Sequence, residues 1–327
     1  MDHGFVRISG EDAVPARLRG GVVAIGNFDG IHRGHQAVLE RALEEARHRG
    51  VPALVLTFEP HPRKVFRPDV PLFVLTPPHV KARLIEALGF DAVIERPFTR
   101  EFSGLSAEEF VTAILQDQLG ISHAVTGFDF HFGKNRQGGP AFLMASGERH
   151  GFGVTLVDPF RDEGAEIISS SRIRELLSEG DAAEAAGLLG YRFTVEAEVV
   201  GGARLGRTLG FPTANMRLSP DFALKEGIYA VRFRRGDGTL HDGVASFGRR
   251  PTVDDHGAPL LETFVFDLSG DLYGEVASVS FFGYLRGEVK FEGLDALVAQ
   301  MKRDEMEAGA LLSGVRPHSE LDRAIAF

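Results

Sequence analysis

The strongest constraint on this chain is a change of rhythm partway along it. Before about residue 190, short aliphatic and β-branched runs alternate with amphipathic segments; beyond it, strand-like runs follow one another with only turn residues between. The runs 22–25, 53–57, 92–94, 124–126 and 154–157 read as buried strands, and helical periodicity fills 35–49, 80–88, 106–119 and 140–150. Ser106 followed by Glu109 predicts a capping box at the start of one of these helices. Strand and helix alternating in this way predict a doubly wound α/β unit, a parallel sheet with helices on both faces and ligands outside the carboxyl ends of the strands.

Two further helical patterns, 171–178 and 182–189, close the first part. The runs 193–200, 228–233, 240–246, 261–266 and 276–282 then read as strands, with turn signals at 236–238 and 271–274. Strands without intervening helices predict an all-β unit, a small antiparallel β-barrel or sandwich, and 294–312 reads as a terminal helix. A chain of 327 residues exceeds the usual size of one domain. The expected domains are 1–186 and 187–327.

Formal net charge is −10, which argues against a surface built to neutralise nucleic-acid phosphates or anionic lipid. Small polyphosphates remain possible ligands, since they need only a few convergent cations, backbone N–H groups and Mg²⁺. There is no cysteine, which removes disulfides, thiolate nucleophiles and Cys-based metal sites and fits a reducing compartment. With no apolar run long enough for a leader or a membrane span, the expectation is a cytoplasmic protein acting on small molecules, with no membrane or nucleic-acid partner.

The run 22–25 leads directly into Gly26-Asn27-Phe28-Asp29-Gly30-Ile31-His32-Arg33-Gly34-His35 and a helix pattern. Two imidazoles therefore stand where a strand turns into a helix N-terminus, a place that favours anions, and Gly34 has no Cβ to keep a phosphate away. A zinc site using His32, His35, Asp29 and His61 is an alternative reading of the same residues. Further on, Ser169, Ser170 and Ser171 precede Arg172 and Arg174, which together suit a leaving pyrophosphate; an ordinary serine cap with solvated arginines is the bland alternative. The loop 127–135 imitates a phosphate-binding loop, but the spacing of its glycines is wrong and Asn135 stands where Ser or Thr would hold Mg²⁺. Phe128, Phe130 and Phe132 in it are open to a core role or a flavin-stacking one.

The segment 26–35 resembles the nucleotidyltransferase signature of the bacterial bifunctional riboflavin kinase/FAD synthetase family, matching at Gly26, Phe28, Asp29, Gly30, His32, Gly34 and His35. The segments 57–62, 127–133 and 169–174 are similar to the same family in the same order, with Ser171 where the family usually has Thr. The resemblance implies a Rossmann-like FMN adenylyltransferase domain. In it, Gly26, Phe28, Asp29, Gly34, Ser169, Ser170, Ser171, Arg172 and Arg174 face ATP, while Asn27, His61 and Asp129 face the flavin. FMN phosphate would attack the α-phosphorus of ATP, with His32 and His35 donating to phosphate oxygens as charge builds.

In the second half, Gly206-Arg207-Thr208-Leu209-Gly210-Phe211-Pro212-Thr213-Ala214-Asn215 reads as a glycine-rich flap. The Thr213 hydroxyl and Asn215 carbonyl are suited to a Mg²⁺ ion bridging ATP phosphates. The segment resembles the riboflavin kinase motif of the same family. That resemblance gives Gly206, Arg207 and Gly210 to the nucleotide, Thr213 and Asn215 to ATP and the metal, and Arg286 to flavin or nucleotide, a surface salt bridge being the other reading of Arg286. Glu262 lies in an apolar strand run, where a carboxylate is costly unless employed or turned to solvent. The resemblance makes it the general base on the ribityl hydroxyl of riboflavin. Ser246 and Phe247 depart from the family's Asn and Ile. ATP, riboflavin and FMN are thus the implied substrates and FAD the product. Two rivals stand beside this reading: a different nucleotidyltransferase fused to an unrelated barrel, and a catalytically silent flavin-binding regulator.

Overall fold

The computed structural model describes residues 4–10, 12–201, 213–249, 259–268, 270 and 272–327. The chain divides into two units, residues 1–170 and 171–327.

The first unit contains β1 (Val6–Ser9), β2 (Val22–Ile25), α1 (Arg33–Arg49), β3 (Ala53–Glu59), α2 (Pro62–Phe66), α3 (Pro78–Ala87) and β4 (Ala92–Pro97). It continues with α4 (Ala107–Glu109), which runs on as a π-helix (Phe110–Gln118), then β5 (His123–Gly127), α5 (Pro140–His150) and β6 (Gly153–Val157). Every strand pairs in parallel, in the order β1-β4-β3-β2-β5-β6. Alternate residues of a strand face opposite sides of the sheet. Val23, Ile25, Leu54 and Leu56 join Phe110, Val111, Ile114 and Leu115 of the π-helix in one core, while Val22 and Ala24 point the other way, where α1 lies on β2, β3 and β5. All four residues of β2 are buried, as expected of a central parallel strand covered on both faces.

The five strands expected here all form, and the Ser106–Glu109 capping box is present with both of its hydrogen bonds. β1 was not anticipated. It is an edge strand with only Ile8 buried, too short for its alternation to stand out. The order reverses between β2, which leads leftward to β3 and β4, and β5 on its other side, so the carboxyl ends of β2 and β5 flank the crevice where such sheets bind ligands.

The second unit takes in α6 (Ser170–Glu179) from its second residue, then α7 (Ala182–Leu189). The strands β7 (Thr194–Val200), β8 (Thr213–Arg217), β9 (Gly227–Arg234), β10 (Leu240–Arg249), β11 (Pro259–Val265) and β12 (Val276–Arg286) follow, then α8 (Leu294–Gly314) and α9 (Glu320–Ala326). The strands close an antiparallel barrel in the order β10-β11-β8-β7-β12-β9. Phe193, Tyr229, Phe247 and Phe281 are buried, with the Phe193 and Tyr229 rings both packed on Phe281. On the outer face Ala230 and Phe282 meet Ala308 and Leu312 of α8 and Ala326 of α9. The barrel and its helix match expectation; β8 and α9 are additions. Thr213-Ala214-Asn215 reads as ligand loop rather than strand because polar residues interrupt its alternation.

Candidate active sites

In the first unit the loop between β2 and α1 is held in an unusual shape. Phe28 and Ile31 are buried with φ of +47° and +36°. Non-glycine residues in that region cost on the order of 1–3 kcal/mol each and persist only where surroundings impose them. The restraints are visible. The Thr76 N–H donates to Asp29 Oδ1 at 3.0 Å, the Gly30 N–H donates to Thr76 Oγ1 at 2.8 Å, and Ser170 Oγ donates to the Asp29 carbonyl at 2.8 Å.

His32 is the N-cap of α1: its Nδ1 accepts the His35 N–H at 3.3 Å. A neutral His32 therefore carries its proton on Nε2. Its ring stacks on His35 with centroids 3.7 Å apart and planes 17° from parallel, and Phe28 meets His35 edge-on at 5.4 Å. A Cβ at Gly34 would lie 3.2 Å from the His32 imidazole, so this glycine makes room for the capping ring. Gly26 lies under the Phe28 ring in the same way, at 3.0 Å. His35 Nδ1 is buried without a hydrogen-bond partner among the described residues. Burial first, then the neighbouring His32 and Lys81, hold its pKa well below the ordinary value of 6.5, so the ring is neutral at pH 7.

Lys81, on α3, is the residue that sequence reading missed. It is only 2% exposed, and its Nζ donates to Glu59 Oε1 at 2.6 Å and to Thr57 Oγ1 at 3.3 Å. The Thr57 hydroxyl in turn donates to the Asn27 carbonyl at 3.1 Å. The available signal was a lysine set among Val80, Ala82, Leu84 and Ile85, a position where an aliphatic residue is the ordinary choice.

Asn27 and Asp129 are exposed beyond the carboxyl ends of β2 and β5, and His61 caps α2 beyond β3, its Nδ1 accepting the Arg63 N–H at 3.1 Å. These three strands are consecutive in the sheet, so all three residues share one edge of it. Phe132 belongs to the core against Phe110 and Phe130, whereas Phe128 is 44% exposed. The zinc alternative fails on geometry: the Asp29 carboxylate is turned to Thr76, and among the described residues no group of three or more ligating side chains could hold a metal. Arg33 is paired with Glu163 and lies over the Phe160 ring at 5.2 Å. Ser169 is half-buried just before α6; in the second unit, Ser171 is exposed and Arg172 and Arg174 are half-buried, with Arg172 3.9 Å from Glu184.

In the barrel, Glu262 of β11 pairs across the ladder with Asn215 of β8 on one side and Ser246 of β10 on the other. Directly opposed residues in adjacent antiparallel strands share a face, with Cβ atoms about 4.5–5.5 Å apart. Thr213, two residues before Asn215, lies on that face too, opposite Phe264. Asn215 is 4% exposed; its Nδ2 donates to the Thr213 carbonyl at 3.3 Å, while its Oδ1 is buried without a partner among the described residues. Glu262 is half-buried. Phe247, next to Ser246, points inward against Phe222 at 5.3 Å. The Arg286 guanidinium is engaged by the buried Asp304 carboxylate at 2.8 and 2.6 Å, a partly buried ion pair. Gly206, Arg207 and Gly210, and the residues from Arg250 to Thr252 and Asp271, lie outside the described residues.

The FAD synthetase family model matches residues 14–172 and the riboflavin kinase model matches 189–312. The chain is 40% identical over 296 residues to a bifunctional riboflavin kinase/FMN adenylyltransferase of Listeria monocytogenes, covering 89% of this chain and 92% of the relative. It is 38% identical over 303 residues to the protein of that name from Escherichia coli K12, covering 92% and 96%. A solved structure described as a macrolide-efflux protein from Streptococcus pneumoniae superposes with a TM-score of 0.82 at 31% identity, over 93% of this chain and 99% of that one. No helix among the described residues is long and apolar enough to cross a membrane.

Proposed function

The chain belongs to the bifunctional riboflavin kinase/FMN adenylyltransferase family and makes FMN from riboflavin and FAD from FMN, and we propose that the two steps are divided between the two polar clusters described above. The match to a riboflavin kinase model over 189–312 disposes of a nucleotidyltransferase joined to an unrelated barrel. We assign adenylylation to residues 1–186 and phosphorylation to 187–327.

In the first site an oxygen of the FMN phosphate attacks the α-phosphorus of ATP, and the bond from that phosphorus to the β-bridging oxygen breaks, releasing pyrophosphate. The attacking oxygen is already anionic, so no general base is needed. Catalysis then rests on position and charge stabilisation. The His32 Nε2–H and a neutral His35 donate to phosphate oxygens. Gly26, Phe28, Asp29 and Gly34 shape the loop around ATP. Asn27, His61 and Asp129 contact the flavin, and Ser169, Ser170, Ser171, Arg172 and Arg174 take the pyrophosphate.

In the second site Glu262 removes the proton of the ribityl hydroxyl as its oxygen bonds to the γ-phosphorus of ATP and ADP leaves. The Asn215 Oδ1 and Thr213 hydroxyl are hard oxygen donors, and a buried carbonyl oxygen without a partner among the described residues fits a Mg²⁺ ligand. When bound, Mg²⁺ neutralises charge on the ATP phosphates. Gly206, Arg207, Gly210 and Arg286 complete the expected ligand contacts.

The pairing of Glu262 with Asn215 supports this reading most directly, since it sets the acid directly across the ladder from a residue whose Oδ1 has no partner among the described residues. It is tested by following riboflavin, FMN and FAD chromatographically in two full-length variants. Glu262→Gln should lower FMN formation ~10²–10⁴-fold and leave conversion of FMN to FAD intact. His32→Ala with His35→Ala should do the reverse; equal loss of both activities in either variant would sink the division of labour.

A further inference from the structure

We propose that Lys81 is a positioning residue for FMN adenylylation, fixing the Asn27 loop and the stacked histidines from beneath. The inference rests on the assignment of adenylyl transfer to the His32/His35 site and goes beyond it.

Three observations carry it. First, Lys81 is 2% exposed and its partner Glu59 only half-buried, so the ion pair is largely removed from solvent. Such a pair is a weak source of stability, because an aliphatic residue of similar size is often as good or better there. What it supplies and an aliphatic residue would not is directed hydrogen bonding. Second, the bonds lead to the site. Lys81 Nζ holds Thr57 Oγ1, and that hydroxyl holds the Asn27 carbonyl, within the loop that presents both histidines. Fixing this one carbonyl opposes relaxation of a loop that contains two buried residues at positive φ. Third, the ammonium charge reaches His35. The charged and titratable groups acting on that ring are His32 from its own loop and Lys81 from α3; Phe28 offers only an uncharged ring. Lys81 and burial thus both favour a neutral His35, which has one N–H to donate and one bare nitrogen. An imidazolium stacked on His32 would lose that pairing.

The experiment uses the full chain with Lys81→Met, Thr57→Val and, as reference, His35→Ala. FMN formation in the same preparation serves as the control for intact protein, since it belongs to the other unit. Lys81→Met should lower kcat for FMN to FAD by about 10²-fold with little change in KM for ATP, the signature of a misplaced group rather than a lost binding contact. Thr57→Val, which keeps the ion pair and cuts the tie to Asn27, should lower kcat in the same direction. In Lys81→Met the His35 imidazole, followed by NMR, should titrate closer to its ordinary range. Unchanged kcat in Lys81→Met while His35→Ala abolishes FAD synthesis would overturn the role of Lys81 alone. FAD synthesis surviving in His35→Ala would overturn the site assignment itself. If Lys81→Met does not fold, Thr57→Val decides, and wild-type kcat there ends the proposal.

Discussion

His35 sits with one face on His32 and an edge against Phe28, its Nδ1 sealed from solvent and unpaired among the described residues. Placing a proton on that ring would desolvate a cation beside Lys81, so folding lowers its proton affinity. The folded pKa is depressed. Its stabilising contribution is therefore fully present above the ordinary value of 6.5 and is lost as pH falls through the folded value. NMR titration of the native protein should show His35 still neutral at pH 6.5, and urea unfolding should show the first unit weakening only below that pH. A His35 titrating at its ordinary value would contradict the burial described here. On the other unit, the Arg286 guanidinium makes a bidentate pair with Asp304 that ties the end of β12 to α8.

Elements matter through what they bring side by side. β8 and β11 are separated in the chain by β9 and β10, yet their pairing sets Glu262 opposite Asn215. α9 acts differently, as a fastener. Asp322, fully buried, accepts from the Arg192 N–H at 2.7 Å, from the Arg192 guanidinium and from the His318 N–H at 2.8 Å. The Arg192 guanidinium also lies over Phe282 and Phe327, 5.0 and 5.7 Å from their centroids. Removing one partner of a buried pair leaves the other charge stranded, so Asp322→Ala should destabilise the second unit by about 3–5 kcal/mol. Denaturant unfolding of the second unit's kinase activity should report that loss, with FMN to FAD conversion retained at concentrations where FMN formation has gone.

At the scale of the whole molecule, two units with separate cores imply separable activities. Residues 171–327 alone should phosphorylate riboflavin and make no FAD. A fragment of 187–327 lacks most of α7, whose Ala182, Ala185 and Ala186 are buried and which packs on β12, so it should unfold at a lower temperature while keeping some kinase activity. Calorimetry with an FMN assay on both fragments checks this. Failure of the longer fragment to phosphorylate riboflavin would mean that the barrel depends on the first unit.

The sequence by itself determined the alternation of strand and helix before about residue 190, the succession of strands beyond it, and the motifs from which both clusters are proposed. Period-two and helical patterns persist over whole segments, and a motif such as that at 26–35 is contiguous. Tertiary structure alone decided which distant residues meet them. β1 is an edge strand of four residues with only Ile8 buried, too little pattern to read. The aliphatic neighbours of Lys81 mark its position as a buried one, but only the packing of α3 shows that it meets Glu59 and Thr57. The place of Glu262 between Asn215 and Ser246 depends on barrel closure, where pairing is set by strands far apart in the chain and no local signal encodes the neighbour.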